Sequence, residues 1–124
     1  MTIHLKTVNF KLTSTVETYV KEKISSLDKF ISEQFLTQGP DTVIAYVELK
    51  LTTRHHQKGD IFGVVADIKF PHAMIHAESS AADIHAAIDR ARDELSTELK
   101  KYKEKKESVF RKGARALKQL FRRT

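Results

Sequence analysis

The chain has 124 residues, 40% of them apolar and 31% charged, with no cysteine and a formal net charge of +6. That length suits one domain with a modest core, and the apolar share excludes a disordered chain. Without cysteine there are no disulfides, thiolate zinc sites or cysteine nucleophiles, which suits a reducing interior. No apolar run approaches the roughly 20 residues that span a bilayer, and MTIHLKTVNF has no basic segment leading into an apolar one. A cytoplasmic protein is expected.

The charge is unevenly placed. Residues 1–99 hold 11 Lys/Arg against 14 Asp/Glu, whereas residues 100–124 hold 11 Lys/Arg against 2 Glu. A near-neutral domain, 1–106, therefore leads into a strongly basic C-terminal extension, 107–124. Clustering one sign of charge builds a local potential that attracts polyanions.

In chain order, Ile3 and Leu5 alternate with His4 and Lys6, which predicts a short strand with one buried face. Next, Val16, Val20, Ile24, Leu27 and Ile31 recur at helical spacing. Thr13 or Ser14 can cap that helix, and Ser14 with Glu17 forms a capping-box pattern. The cluster Gly39-Pro40-Asp41 closes the segment. Two long strands follow. Val43, Ala45, Val47, Leu49 and Leu51 share one face of the first; Phe62, Val64, Ala66, Ile68 and Phe70 share one face of the second. The polar loop RHHQKGD joins them, so they should pair antiparallel. After Pro71-His72, MIHAE reads as a fourth strand with Ile75 and Ala77 inward.

The last predicted helix carries a stripe of Ile84, Ile88, Ala91, Leu95, Leu99 and Tyr102. One-sided strands and helices in the order β-α-β-β-β-α predict an α+β fold, with both helices packed on one face of a four-stranded sheet. In 107–124, Val109, Phe110, Ala114, Leu117, Leu120 and Phe121 are spaced as one apolar face of a short helix, which Gly113 weakens by about 1 kcal/mol.

The lysine-rich end of the last helix needs a reason. Asp83 and Asp89 near its start and cations near its end suit the helix dipole, at about 0.3–1 kcal/mol each. That effect fades within one turn, and one or two lysines satisfy it. Lys100, Lys101, Lys103, Lys105 and Lys106 crowd seven residues, and six more cations follow. Such mutual repulsion points to a polyanionic partner. At 100° per residue from Ile88, Arg90 and Lys101 fall near 200–220°, Arg92 and Lys103 near 40–60°, with Lys100 between. A surface that broad fits phosphate-backbone contact better than base reading. Tyr19, Tyr46 and Tyr102 are the tyrosines available for stacking on bases, though Tyr19 and Tyr102 lie on or beside apolar stripes.

The segment MIHAESSAADIHAAIDRARDELSTELKKYKEK (74–105) and the helix LTSTVETYVKEKISSLDKF (12–30) resemble the ribosome hibernation-promoting factors, also called ribosome-associated translation inhibitors. The likeness covers about residues 1–106. It implies a β-α-β-β-β-α domain in the decoding region of the small ribosomal subunit, gripping rRNA with basic residues of two helices and overlapping the paths of mRNA and tRNA. Idle ribosomes would be blocked by occupancy, without chemistry. The matching cations are Lys23, Lys29, Lys101 and Lys103; Arg90, Arg92, Lys100 and Lys105 extend the patch. Ser26, Glu94 and Thr97 stand where relatives often carry Lys or Arg, a loss that Arg90, Arg92 and the tail would offset. Long members add a dimerising C-terminal domain, for which eighteen residues are too few, so a short, monomeric member is expected.

Other readings are weaker. The tail alone could make a general RNA-binding adaptor, or one that lies on anionic lipid, but its apolar face is short and no membrane partner is expected. His55, His56, His72 and His76 lack a completing ligand set, so no metal is expected. Asp60, Asp67 and Glu78 could be gathered by strand pairing, yet there is no glycine-rich phosphate loop, and neither an enzyme nor a cofactor or small-molecule substrate is expected. A double-stranded RNA-binding domain ends similarly but starts its last helix with lysines, whereas here that start is SSAADIHAAID.

Overall fold

Alternation in the strands and a period near 3.6 in the helices place one set of apolar side chains between two layers. The computed structural model describes residues 1–53 and 59–122, with the backbone alone at Thr53 and from residue 106 onward. Its elements are β1 (Thr2–Val8), α1 (Ser14–Ser25), a 3-10 turn (Ser26–Phe30), α2 (Glu33–Thr37), β2 (Ile44–Thr53), β3 (Asp60–Phe70), β4 (Ala73–Ala81) and α3 (Ile84–Arg122). The strands form one sheet in the order β1-β2-β3-β4, with β1 parallel to β2 and the other pairs antiparallel. The parallel pair follows from the α1 crossover, which returns the chain to the same end of the sheet.

Register puts Leu5, Val47, Ala66 and Ala77 in one row and Ala45, Ile68 and Ile75 in another, all facing the helices. Opposite them, Val20, Ile24 and Leu27 are buried with Ile88, Ala91, Leu95 and Leu99. Each fully buried Leu or Ile contributes about 1.5–3 kcal/mol, so this stripe holds α3 to the sheet. Tyr102 stacks on Phe70 with ring centroids 5.6 Å apart, and Phe35 of α2 meets the same ring at 6.1 Å. Leu51 and Phe62, expected inward, are only half-buried at the far end of the sheet.

The α+β fold and the faces of its elements agree with expectation, but four local readings do not. Thr13, rather than Ser14, is the N-cap, its hydroxyl accepting from the Val16 amide at 3.3 Å. Glu17 therefore falls outside a capping box and pairs with Lys21 at 2.9 Å. The first helix does not run to Ile31: Ser26 turns its hydroxyl back onto the Lys23 carbonyl, and the chain tightens into the 3-10 turn. β4 extends past MIHAE to Ala81. Lastly, the helix of the tail is not a short one, because α3 continues through Gly113 to Arg122 without a break. At 1.5 Å per residue its 39 residues measure about 58 Å.

Candidate nucleic-acid interface

α3 begins with Asp83, whose carboxylate accepts from the Ala86 amide at 3.2 Å and whose carbonyl accepts from Ala87. Burial pushes this carboxyl up, but hydrogen bonds from Ala86 and His85 outweigh it and hold the group below its ordinary value of 3.8. Nearly two turns on, Asp89 is aimed across the helix pair. Its Oδ1 accepts the Tyr19 hydroxyl at 2.6 Å and lies 3.5 Å from Lys23 Nζ. The bond to Asp89 pushes the Tyr19 phenol up to about 12. Tyr19 is thus a cross-helix anchor, its ring edge-on to His85 at 4.7 Å.

Arg92 reaches the same seam. Its Nε donates to Ser26 Oγ at 3.1 Å, and its terminal nitrogen lies 3.3 Å from Asp93 Oδ1. Glu22, Lys23, Ser26, Asp89, Arg92 and Asp93 line the resulting cleft between α1 and α3. Ser26, at the end of α1, is the hydroxyl that brings the Arg92 guanidinium across from α3.

The cations farther along α3 behave differently. Lys29 Nζ and Lys100 Nζ sit 5.1 and 4.9 Å from the centroid of Phe30, so the 3-10 turn and α3 present two charges around one ring. Cation–π contact at an exposed site is worth roughly 0.5–1 kcal/mol and leaves both ammoniums open to a second partner. Lys101 lies 3.5 Å from Glu98, a loose exposed pair. Lys103 and Lys105 are exposed and make no ion pair with any other described residue. Arg90 stands apart: it donates to the Ser80 carbonyl at 2.8 Å, toward the end of β4. Of the eight cations singled out in the sequence, the fold brings together Lys29 with Lys100, and Lys23 with Arg92. Lys101, Lys103 and Lys105 continue along α3, and Arg90 does not join them.

Among the described residues, no helix packs on the sheet's other face. There His4 stacks on Tyr46 at 5.4 Å, making Tyr46, at 45% exposure, the most open of the three tyrosines. Asp67 and Glu78 do come together, but around His76, bonded to its two ring nitrogens; Asp60 pairs with Thr53 at the far end of the ladder. Among the described residues no group of three or more His, Asp or Glu could hold a metal ion. His55 and His56 lie outside the described residues. No described helix is long and apolar enough to cross a membrane.

What the sequence reading missed are the acids. From the sequence Asp89 suits the helix dipole and Asp93 carries no role, yet both face the cations of the cleft. A signal was present, since Asp89 and Asp93 are one turn apart and flank Arg92.

Fold and surface together define a small α+β domain whose helical side ends in cations that its own acids do not neutralise, the charge distribution of a polyanion binder. Residues 3–107 match the family described as Sigma 54 modulation protein / S30EA ribosomal protein, and the chain belongs to that family. It is 31% identical over 96 residues to a ribosome hibernation promotion factor of Deinococcus radiodurans and 28% identical over 95 residues to one of Lactococcus lactis. Each alignment covers 77% of this chain and 45% of the relative, so the chain spans about half the length of these curated relatives. The N-terminal domain of Thermus thermophilus Protein Y superposes with a TM-score of 0.65 at 28% identity, covering 82% of this chain and 99% of that one. A ribosomal subunit interface protein from Coxiella burnetii shares the fold, with a TM-score of 0.64 at 18% identity, covering 84% and 99%. The assignment expected from residues 74–105 therefore holds.

Proposed function

We propose that this domain is a ribosome hibernation factor: it binds rRNA in the decoding region of the small ribosomal subunit, excludes mRNA and tRNA, and inhibits translation by occupancy rather than catalysis. The observation that carries this reading is the meeting of Lys29 and Lys100 around Phe30, continued by Lys101, Lys103 and Lys105 along α3. Ammoniums in this arrangement can each exchange a water or a weak surface contact for a phosphate, releasing counterions. The names of the relatives, which link those proteins to ribosomes and their subunit interface, support the choice of polyanion. Residues 1–106 are proposed to suffice for binding as a monomer, with no cofactor and no membrane partner. The division at 106 is one of function, since α3 crosses it unbroken.

The test is co-pelleting with purified small subunits at low and moderate salt, beside Lys101→Glu with Lys103→Glu. Saturable binding near one to one, reduced more than tenfold in the variant, is the expected result. Binding that never saturates and vanishes with salt would replace the proposal with a general RNA-binding adaptor. One feature favours that second reading enough to keep it in the test: the same continuous helix carries the tail's cations onward to Arg122.

A further inference from the structure

The cleft between α1 and α3 is a poor place for a phosphate, although two of the expected contacts lie in it. Its lining holds three carboxylates, Glu22, Asp89 and Asp93, against two cations, Lys23 and Arg92. Both cations are engaged: Lys23 with Asp89 at 3.5 Å, and Arg92 with Ser26 at 3.1 Å and Asp93 at 3.3 Å. Asp89 is itself fixed by the Tyr19 hydroxyl on the same oxygen that faces Lys23. A phosphate arriving here must displace that carboxylate from Lys23 and then sit beside it, with Asp93 one turn away. At the other end of the surface, among the described residues, Lys29 and Lys100 have only the face of Phe30 to leave.

We propose that Asp89, supported by Asp93, is a specificity-determining residue that keeps Lys23 and Arg92 out of the phosphate grip. The inference rests on reading the domain as an RNA binder and refines which cations do the binding. RNA of arbitrary shape is held by Lys29 and the cationic end of α3 alone. A flexible strand would be the first to gain if the cleft were opened, because it can bend a phosphate into any unguarded cation. A rigid rRNA surface gains only where its own phosphates already fall. Asp89 therefore lowers affinity for free RNA more than for a structured partner.

The experiment is a double-mutant cycle with Asp89→Asn and Lys23→Ala, read by anisotropy of a labelled uridine dodecamer across a salt series. Asparagine keeps an oxygen for Tyr19 to donate to, and thermal melts of each variant confirm that the fold is retained. Asp89→Asn should tighten binding at low salt by roughly three- to tenfold and steepen the salt slope by about 0.7, one added phosphate on a single strand. Lys23→Ala alone should change affinity by less than about twofold, yet erase the gain in the Asp89→Asn background. Affinity for purified small subunits should rise less than affinity for the dodecamer. Unchanged or weaker dodecamer binding in Asp89→Asn, or an equal cost of Lys23→Ala in both backgrounds, would overturn the inference. Failure of the wild type to bind small subunits would count against the proposed function and leave the dodecamer cycle to decide the role of Asp89.

Discussion

The two halves of α3 handle charge in opposite ways. From Ile84 to Leu99 the helix is anchored by seven side chains that are at most 7% exposed (Ile84, Ala87, Ile88, Ala91, Leu95, Ser96 and Leu99), and its cations are matched: Arg92 by Asp93 and Ser26, Arg90 by the Ser80 carbonyl. From Lys100 the last core contact among the described side chains is Tyr102 on Phe70, and cations outnumber acids 11 to 2 over residues 100–124. Where the fold uses the helix, charge is balanced within the chain. Beyond these contacts charge accumulates, and an excess of cations that the chain's few acids there cannot match is the part of the sequence that points outward.

The comparison makes its largest prediction about stability. Leu95 is fully buried against the sheet, so Leu95→Ala should cost about 2–5 kcal/mol by denaturant unfolding. Lys103→Glu, eight residues on and exposed, should stay within about 0.5 kcal/mol. If the lysine variant destabilised the domain comparably, the second half of α3 would be structural and the contrast would collapse.

Binding should show the reverse order. Changing Arg111, Lys112, Arg115 and Lys118 together to alanine should leave unfolding unchanged but weaken small-subunit binding. If all four contact phosphates, the log–log salt slope should fall by about 3. An unchanged slope would confine the grip to residues up to 106 and make the tail's charge irrelevant to the ribosome.

Much of this was legible in advance, because the signals were periodic. The i, i+4, i+7 stripe of Ile84, Ile88 and Ala91 and the alternation of Val64, Ala66, Ile68 and Phe70 report burial directly, and all seven are buried. What escaped were local competitions decided by single hydrogen bonds. Ser14 and Thr13 offer equivalent caps in sequence, and it is Thr13 that takes the extended backbone and accepts from the Val16 amide. Ser26 bends the helix end through its own hydroxyl, which a hydrophobic pattern does not encode. The roles of Asp89 and Arg92 depend on α1 and α3 lying side by side, a tertiary fact that neither helix carries alone.

A smaller effect sharpens the anchored half at its start. Asp83 caps α3, so Asp83→Ala should lower the urea midpoint near neutral pH. Its folded value lies below 3.8, so its contribution is present above that pH and fades as pH falls through the folded value. The variant's deficit, followed by urea midpoints between pH 7 and pH 2, should therefore shrink toward the acid end. A deficit constant with pH would assign the loss to helix propensity instead of the carboxylate.

The smallest effect tests whether internal charge balance is confined to α3. On the uncovered sheet face His76 stands directly across from Asp67 and two residues before Glu78, and both carboxylates bond its ring. A neutral imidazole can donate from one nitrogen only, whereas the imidazolium donates from both, so the bonds to Asp67 first and Glu78 second raise the histidine above its ordinary value of 6.5. A raised histidine stabilises the fold fully below about 6.5, and that stabilisation is lost as pH rises through the folded value. His76 is half exposed, which limits the whole effect to less than about 1 kcal/mol. Proton NMR titration of the imidazole should give a midpoint above that of an unstructured peptide. His76→Gln should remove that part of the decline in stability between pH 6 and pH 8, while leaving RNA binding by the α3 end untouched. A normal midpoint would mean that the two acids remain solvated, and that of the two surfaces only the helix seam balances its charges by contact.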